Sequence, residues 1–195
     1  MKILAFETTD AVASVALYLD GEQYETVIDT DRRHAESVLP AAEALLSAHG
    51  LSTVDMDAFA ADVGPGSFTG VRIGVCMANA LGAAHRKPVV AVNALETLAR
   101  PYRNETVCAL IDARNGNGYG AVYQRGEIVK APCACVIDAF TADLSKDCRM
   151  VGTATNDPKM PSAAAVACIA AERMGGKEIA PLYLKLSQAE RMWNA

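Results

Sequence analysis

No stretch of this chain stays apolar for long enough to span a bilayer. The strongest candidate, residues 68–84, is interrupted by Arg72 and Asn79 and falls short of the ~20 apolar residues that a spanning helix needs. The opening "MKILAFETTD" has one lysine and a short apolar run before its acids, without the long apolar region and cleavage site of an export leader. These shortfalls predict a soluble, cytoplasmic chain with no membrane partner. A basic surplus is missing too: 18 Lys and Arg against 23 Asp and Glu give a net charge of −5. Proteins that grip RNA unaided depend on phosphate neutralisation. Contact with RNA is therefore expected only through a complex, with Arg32 and Arg33 as a local patch.

Aromatic residues make up only 6% and tryptophan occurs once, whereas hydrophobic residues reach 51% and charged ones 21%. That balance is ordinary for a globular chain. A core short of large rings and rich in alanine calls for closely packed helices. At 195 residues the chain suits one domain, or two small lobes that share a core. Six cysteines are present: Cys76, Cys108, Cys133, Cys135, Cys148 and Cys168. Cys133 and Cys135 stand one residue apart with no second pair to complement them, so no metal site is expected. In an unexported chain the six are expected as buried thiols.

Period and turn signals set the order of elements. "KILAFETT", "ASVALYLDG" and "EQYETVIDT" read as three antiparallel strands, with Asp20–Gly21 as a hairpin turn. In "RRHAESVLPAAEALLSAHG" Val38, Leu39, Ala42, Leu45, Leu46 and His49 share one helical stripe, closed by Gly50. Pro40 either marks the first turn of a helix beginning near Ser37 or interrupts a longer one. A strand "AFAADV", a helix "SFTGVRIGVCMANALGAAH", a strand "KPVVAV" and a helix "NALETLARPY" capped by Asn93 follow. The second half opens likewise with strands "TVCALIDA", "GYGAVYQRG" and "EIVKA". Its signals fade over 132–157 and return in a helix from Ser162 to Gly175. Three strands followed by helices, twice, suggest a duplicated α/β unit.

The segment "ADVGPGSFTGVRIGV" (61–75) raises a chemical question. A strand feeding a Gly-Pro-Gly turn and a Ser-headed helix leaves backbone N–H groups outward, which suits an anion. Gly64, Gly66 and Ser67 are thus candidates for a nucleotide or anion loop. The Gly-Lys-Ser/Thr ending of a phosphate loop is missing, and the spacing is not that of a dinucleotide fingerprint. A plain helix-capping turn fits equally well. Behind it Gly70, Gly74, Ala78 and Gly82 recur every four residues. Each internal glycine costs a helix ~1 kcal/mol relative to alanine, so this ridge predicts close contact with another backbone, in the core or across an interface.

"GPGSFTGVRIG" (64–74) resembles the signature of the TsaB family, and "ILAFETT", "RHAESVLP", "LIDAR" and "APLYLKLSQAE" fall in the family's order. The resemblance covers most of the chain and implies an α/β fold of two RNase H-like lobes of the actin, sugar kinase and Hsp70 (ASKHA) type. The lobes are expected at 1–104 and 105–195, the second shortened. It also implies a non-catalytic scaffold that binds TsaD while TsaD transfers the threonylcarbamoyl group to the tRNA adenosine beside the anticodon. TsaE, an ATPase, would complete a ternary complex. ATP or ADP would sit at the complex interface, the chain having no cofactor of its own, and the chain alone would form a homodimer. The partner interface implied on the first two helices comprises His34, Glu36, Leu39, Arg72, Cys76, Asn79 and Ala83. The chain departs from the pattern at Glu7, where the family more often has aspartate, and in "RNGNGYGAVY".

No catalytic residue emerges. TsaD carries two metal-binding histidines four apart on the corresponding helix, but Val38 stands four after His34, and one imidazole does not make that site. His49 and His85 suit helix ends. Glu7 and Asp112 each close a first strand, where phosphotransferases of this fold hold carboxylates for Mg²⁺ and water. Structural hydrogen bonding is expected of Glu7, and Asp112 stays open. A stand-alone ATPase or phosphotransferase is the rival reading. A peptidase is a weaker one, because no nucleophile–base pair is visible.

Overall fold

The computed structural model describes residues 1–29, 34–156, 158–173 and 175–185. Arg32, Arg33, the His34 side chain and the end of "APLYLKLSQAE" lie outside the described residues. Strands β1 (Lys2–Glu7), β2 (Ala13–Leu19) and β3 (Glu22–Ile28) form an antiparallel meander. Asp20 and Gly21 turn between β2 and β3 with φ of 49° and 108°, a conformation that Asp-Gly adopts readily. β4 (Ala58–Asp62) then adds parallel to β1, and β5 (Val89–Val92) parallel to β4, giving the order β3-β2-β1-β4-β5. Helices α1 (His34–Ala48), α2 (Phe68–His85) and α3 (Ala94–Ala99) alternate with them.

The second half repeats the plan with one strand fewer. β6 (Thr106–Asp112), β7 (Asn117–Gln124) and β8 (Glu127–Val136) form a meander, and β9 (Arg149–Val151) pairs parallel to β6, giving β8-β7-β6-β9. Between β8 and β9 lies α4 (Ile137–Thr141), and α5 (Ala163–Ala170) closes the set.

Alternation along the strands sorts the core. Leu4, Phe6, Leu17 and Phe59 face α1 and α2, packing on Val38, Leu46 and Ala78. Ile3, Ala5, Ala16, Ala60 and Val90 face the other way, onto Val166, Ala167 and Ile169 of α5. Small side chains on both surfaces let this helix lie close. α3 follows the first sheet in sequence but packs Leu95 and Leu98 on Val107, Ala109 and Ala121 of the second. The sheets thus part between β5 and β6, while α3 and α5 each cover the sheet of the other half.

Several expectations change here. α1 starts at His34 with Pro40 inside it, so the longer helix is the one that forms. Pro40 is exposed, and losing its one N–H donor is tolerated there. α4 and β9 were illegible because five-residue and three-residue elements carry too little period. β8 runs on through the two cysteines to Val136. α5 stops at Ala170, short of Gly175: beyond it Glu172 pairs with Arg100 and Arg173 with Glu96. All six cysteines are free thiols, but only Cys108 is buried, and Cys76 is exposed. Among the described residues no helix is long and apolar enough to cross a membrane.

Candidate functional site

Thr8, directly after β1, explains the glycine ridge. Its hydroxyl donates to the Gly70 carbonyl at 2.6 Å and accepts from the Gly74 N–H at 3.1 Å. The Thr8 backbone carbonyl presses on Gly70 so closely that a Cβ there would collide with it. Further along, Gly82 lies under Val89 and Lys87 in the same way, and Ala78 is fully buried. The ridge Gly70, Gly74, Ala78 and Gly82 therefore packs inward, onto β1 and β5, rather than outward.

The turn before α2 is tied on every side. Ser67 caps the helix by accepting from the Gly70 N–H at 3.3 Å. The Ser67 N–H donates to the Thr9 carbonyl at 2.7 Å and the Gly64 N–H to Asp62 Oδ1 at 2.7 Å, while the Gly64 carbonyl accepts from Ala94. Gly66 sits against Thr9, where a Cβ would meet the carbonyl oxygen at 2.5 Å. Two N–H groups of the candidate anion loop, those of Gly64 and Ser67, are thus spent inside the chain, as is that of Gly70 in the first turn of α2. What the turn does in this structure is join the ends of β1 and β4 to α2 and α3.

Beneath it lies a feature that the sequence reading passed over. The β1–β4 register pairs Phe6 with Ala61, so Glu7 and Asp62 come side by side on the face away from α2. Both are 0% exposed. Glu7 Oε1 accepts from the Thr9 N–H and hydroxyl, each at 2.6 Å. Burial pushes the Glu7 carboxyl above the usual range, and burial with the Glu7 charge beside it pushes Asp62 well above. Two acids ending apolar strands, "KILAFE" and "AFAAD", were the available signal. Parallel pairing of those strands was needed to bring them together.

The other candidates spread over one flank. On α1, Glu36 is exposed and Leu39 is 39% exposed. On α2, Arg72, Cys76 and Ala83 are exposed. Arg72 lies over the Phe68 ring at 3.8 Å and donates to the Tyr183 hydroxyl at 2.9 Å. Asn79 is engaged within the chain, where its amide donates to the Ile179 carbonyl at 2.8 Å and accepts from the Ile179 N–H at 2.9 Å. It fastens the extended segment 175–185 along α2, which also pairs Gly176 with Val89 and gives Leu182 N–H to Val63. Asp112 is exposed and accepts from the Arg114 N–H in a local turn. His49 bonds the Leu45 carbonyl, and His85 stacks on Phe59. Among the described residues no three His, Cys, Asp or Glu side chains gather as a metal site would require.

Two sheets of one plan, a meander extended by two parallel strands in the first and by one in the second, define a protein of the ASKHA class with RNase H-like lobes. The family model described as TsaD, tRNA N6-adenosine threonylcarbamoyltransferase, matches residues 28–144. The tRNA threonylcarbamoyladenosine biosynthesis protein TsaB of Escherichia coli K12 is 40% identical over 131 residues, 65% of this chain and 57% of that protein. The TsaB of Bacillus subtilis 168 is 34% identical over 127 residues, 64% of this chain and 56% of that one. A Pseudomonas aeruginosa crystal structure, of a protein described as similar to the peptidase YeaZ, superimposes with a TM-score of 0.86 at 29% identity. It covers 94% of this chain and 99% of its own. The chain belongs to the family of that model, described as TsaD, and the curated proteins similar to it include TsaB proteins. It spans little more than half the length of those two relatives.

Proposed function

We propose that this chain works in the biosynthesis of threonylcarbamoyladenosine on tRNA, as a non-catalytic subunit that holds a TsaD protein. The names of the E. coli and B. subtilis relatives support the pathway. The observation that carries the scaffold role is the α1–α2 flank: Leu39, Cys76 and Ala83 are exposed on helices whose opposite faces are built into the core. Val38, where a second histidine would complete a metal pair with His34, is fully buried in that core. The same flank serves self-association when TsaD is absent, and TsaE with ATP or ADP joins at the junction of the assembled subunits.

Sedimentation of the chain alone and mixed with TsaD from the same organism tests this. The expected result is a homodimer that gives way to a one-to-one heterodimer. Leu39→Arg combined with Cys76→Arg adds charge at exposed positions and leaves the core untouched. It should weaken the heterodimer by about tenfold or more, as loss of interface anchors commonly does. Full-strength binding by the double variant would remove the flank from the interface. Indifference of the parent chain to TsaD would end the scaffold reading.

A further inference from the structure

Glu7 and Asp62 each have one carboxyl oxygen engaged and one left over. Glu7 Oε2 and Asp62 Oδ2 are buried and have no hydrogen-bond partner among the described residues. The parallel β1–β4 register sets the two carboxyl groups side by side in the same closed space, both 0% exposed. Two buried carboxylates facing each other would repel, and each orphaned oxygen would bear an uncompensated desolvation cost. A single proton between them removes both penalties.

We infer that Glu7 and Asp62 form a proton-binding site, holding one proton between Glu7 Oε2 and Asp62 Oδ2, and that this proton clamps the β1 turn to the glycine turn. The clamp reaches Thr9 through Glu7 Oε1 and Gly64 through Asp62 Oδ1. Thr9 in turn accepts from Ser67, so the start of α2 is seated on the same pair. The surroundings favour keeping the proton. Asp10, in the turn after β1, raises Glu7, and Glu96 of α3 raises Asp62, while Tyr123 of β7 feels the Asp62 charge. From β2, Ser14 stands opposite Glu7 and accepts from the Ala163 N–H of α5, and neither residue titrates.

The sign of the pH dependence follows. A carboxyl whose pKa is raised by folding contributes fully below its unfolded value and loses that contribution as pH rises towards the folded value. One retained proton makes the unfolding equilibrium constant rise about tenfold per pH unit over that window. The window opens near the ordinary carboxylate range, about pH 4, and runs upward from there.

Denaturant unfolding of the full chain at intervals from about pH 5 to about pH 8 tests the site, with Glu7→Gln as the variant. The glutamine oxygen still accepts from Thr9, and its NH₂ replaces the shared proton as donor to Asp62. Glu7→Gln is expected to take away the parent's roughly tenfold-per-unit slope and to gain stability over the parent as pH rises. Parallel profiles for parent and variant would overturn the proposal. Should Glu7→Gln fail to fold, ¹³C NMR of side-chain carboxyl carbons in the parent decides independently. One carboxyl of the pair still protonated at neutral pH supports the site, and two ordinary carboxylates overturn it. Neither readout involves TsaD.

Discussion

At the scale of single residues, the same chemical change has opposite signs in different places. Glycine to alanine inside a helix ordinarily gains ~1 kcal/mol. At Gly70 the new Cβ meets the Thr8 carbonyl oxygen, part of a backbone held by β1 and unable to swing aside. Overpacking of this kind costs about 3 kcal/mol, so Gly70→Ala should lower stability by about 2 kcal/mol on denaturant titration. Gly74 meets the Thr8 hydroxyl instead, and a bulky side chain there breaks the fold before it can report on any partner. Glu7 belongs at this scale too. Read alone it is an acid at a strand end; beside Asp62 it is half of a buried pair, and its pH dependence belongs to that pair.

At the scale of elements, α2 has two working faces. Val71, Gly74, Val75 and Ala78 are buried, whereas Phe68, Arg72 and Cys76 look outward. The segment 175–185 runs between these faces and is fastened by Asn79 through two hydrogen bonds to Ile179. Each is worth ~1 kcal/mol, so Asn79→Ala should release the segment by about 2 kcal/mol. The expected readout is faster cleavage near residues 177–183 by a nonspecific protease, with little change in global unfolding. Unaltered cleavage would place the hold of the segment elsewhere, in Ile179 and Leu182 against Val63, Val71 and Val75. Because Asn79 is engaged within the chain, it is also a poor probe of the partner flank. Leu39 and Cys76 are the cleaner choice.

At the scale of the whole molecule, the halves are interlocked by exchange of helices. α5 supplies the cover for Ile3, Ala5 and Val90 of the first sheet, and α3 the cover for Val107 and Ala109 of the second. Arg100, just beyond α3, bonds Glu172, just beyond α5, with Nη1 to Oε2 at 2.9 Å. Neither sheet keeps a complete core without chain from the other half. The protein should therefore unfold in one transition, with calorimetric and van't Hoff enthalpies in agreement. Two resolved transitions would show that each sheet holds its own core after all.

The repeated order of strands and helices, the Asp20–Gly21 hairpin, the Ser67 and Asn93 caps and the family signature were all legible in the chain. Each is a local signal: a period, a turn residue or a cap acts within a few neighbours, and sequence preserves neighbours. The ridge of small residues on α2 was legible as a ridge, because helical spacing is local as well. What it faces was not, since Thr8 lies 62 residues from Gly70 along the chain. Glu7 meets Asp62 only because β1 and β4 run parallel in one register. Asn79 is engaged only because residues 175–185 return along α2, and α3 and α5 change sheets only because the two halves fold against each other. Period and turn chemistry determined the elements. Long-range packing decided which acids share a face, which helix covers which sheet and which flank remains exposed for a partner.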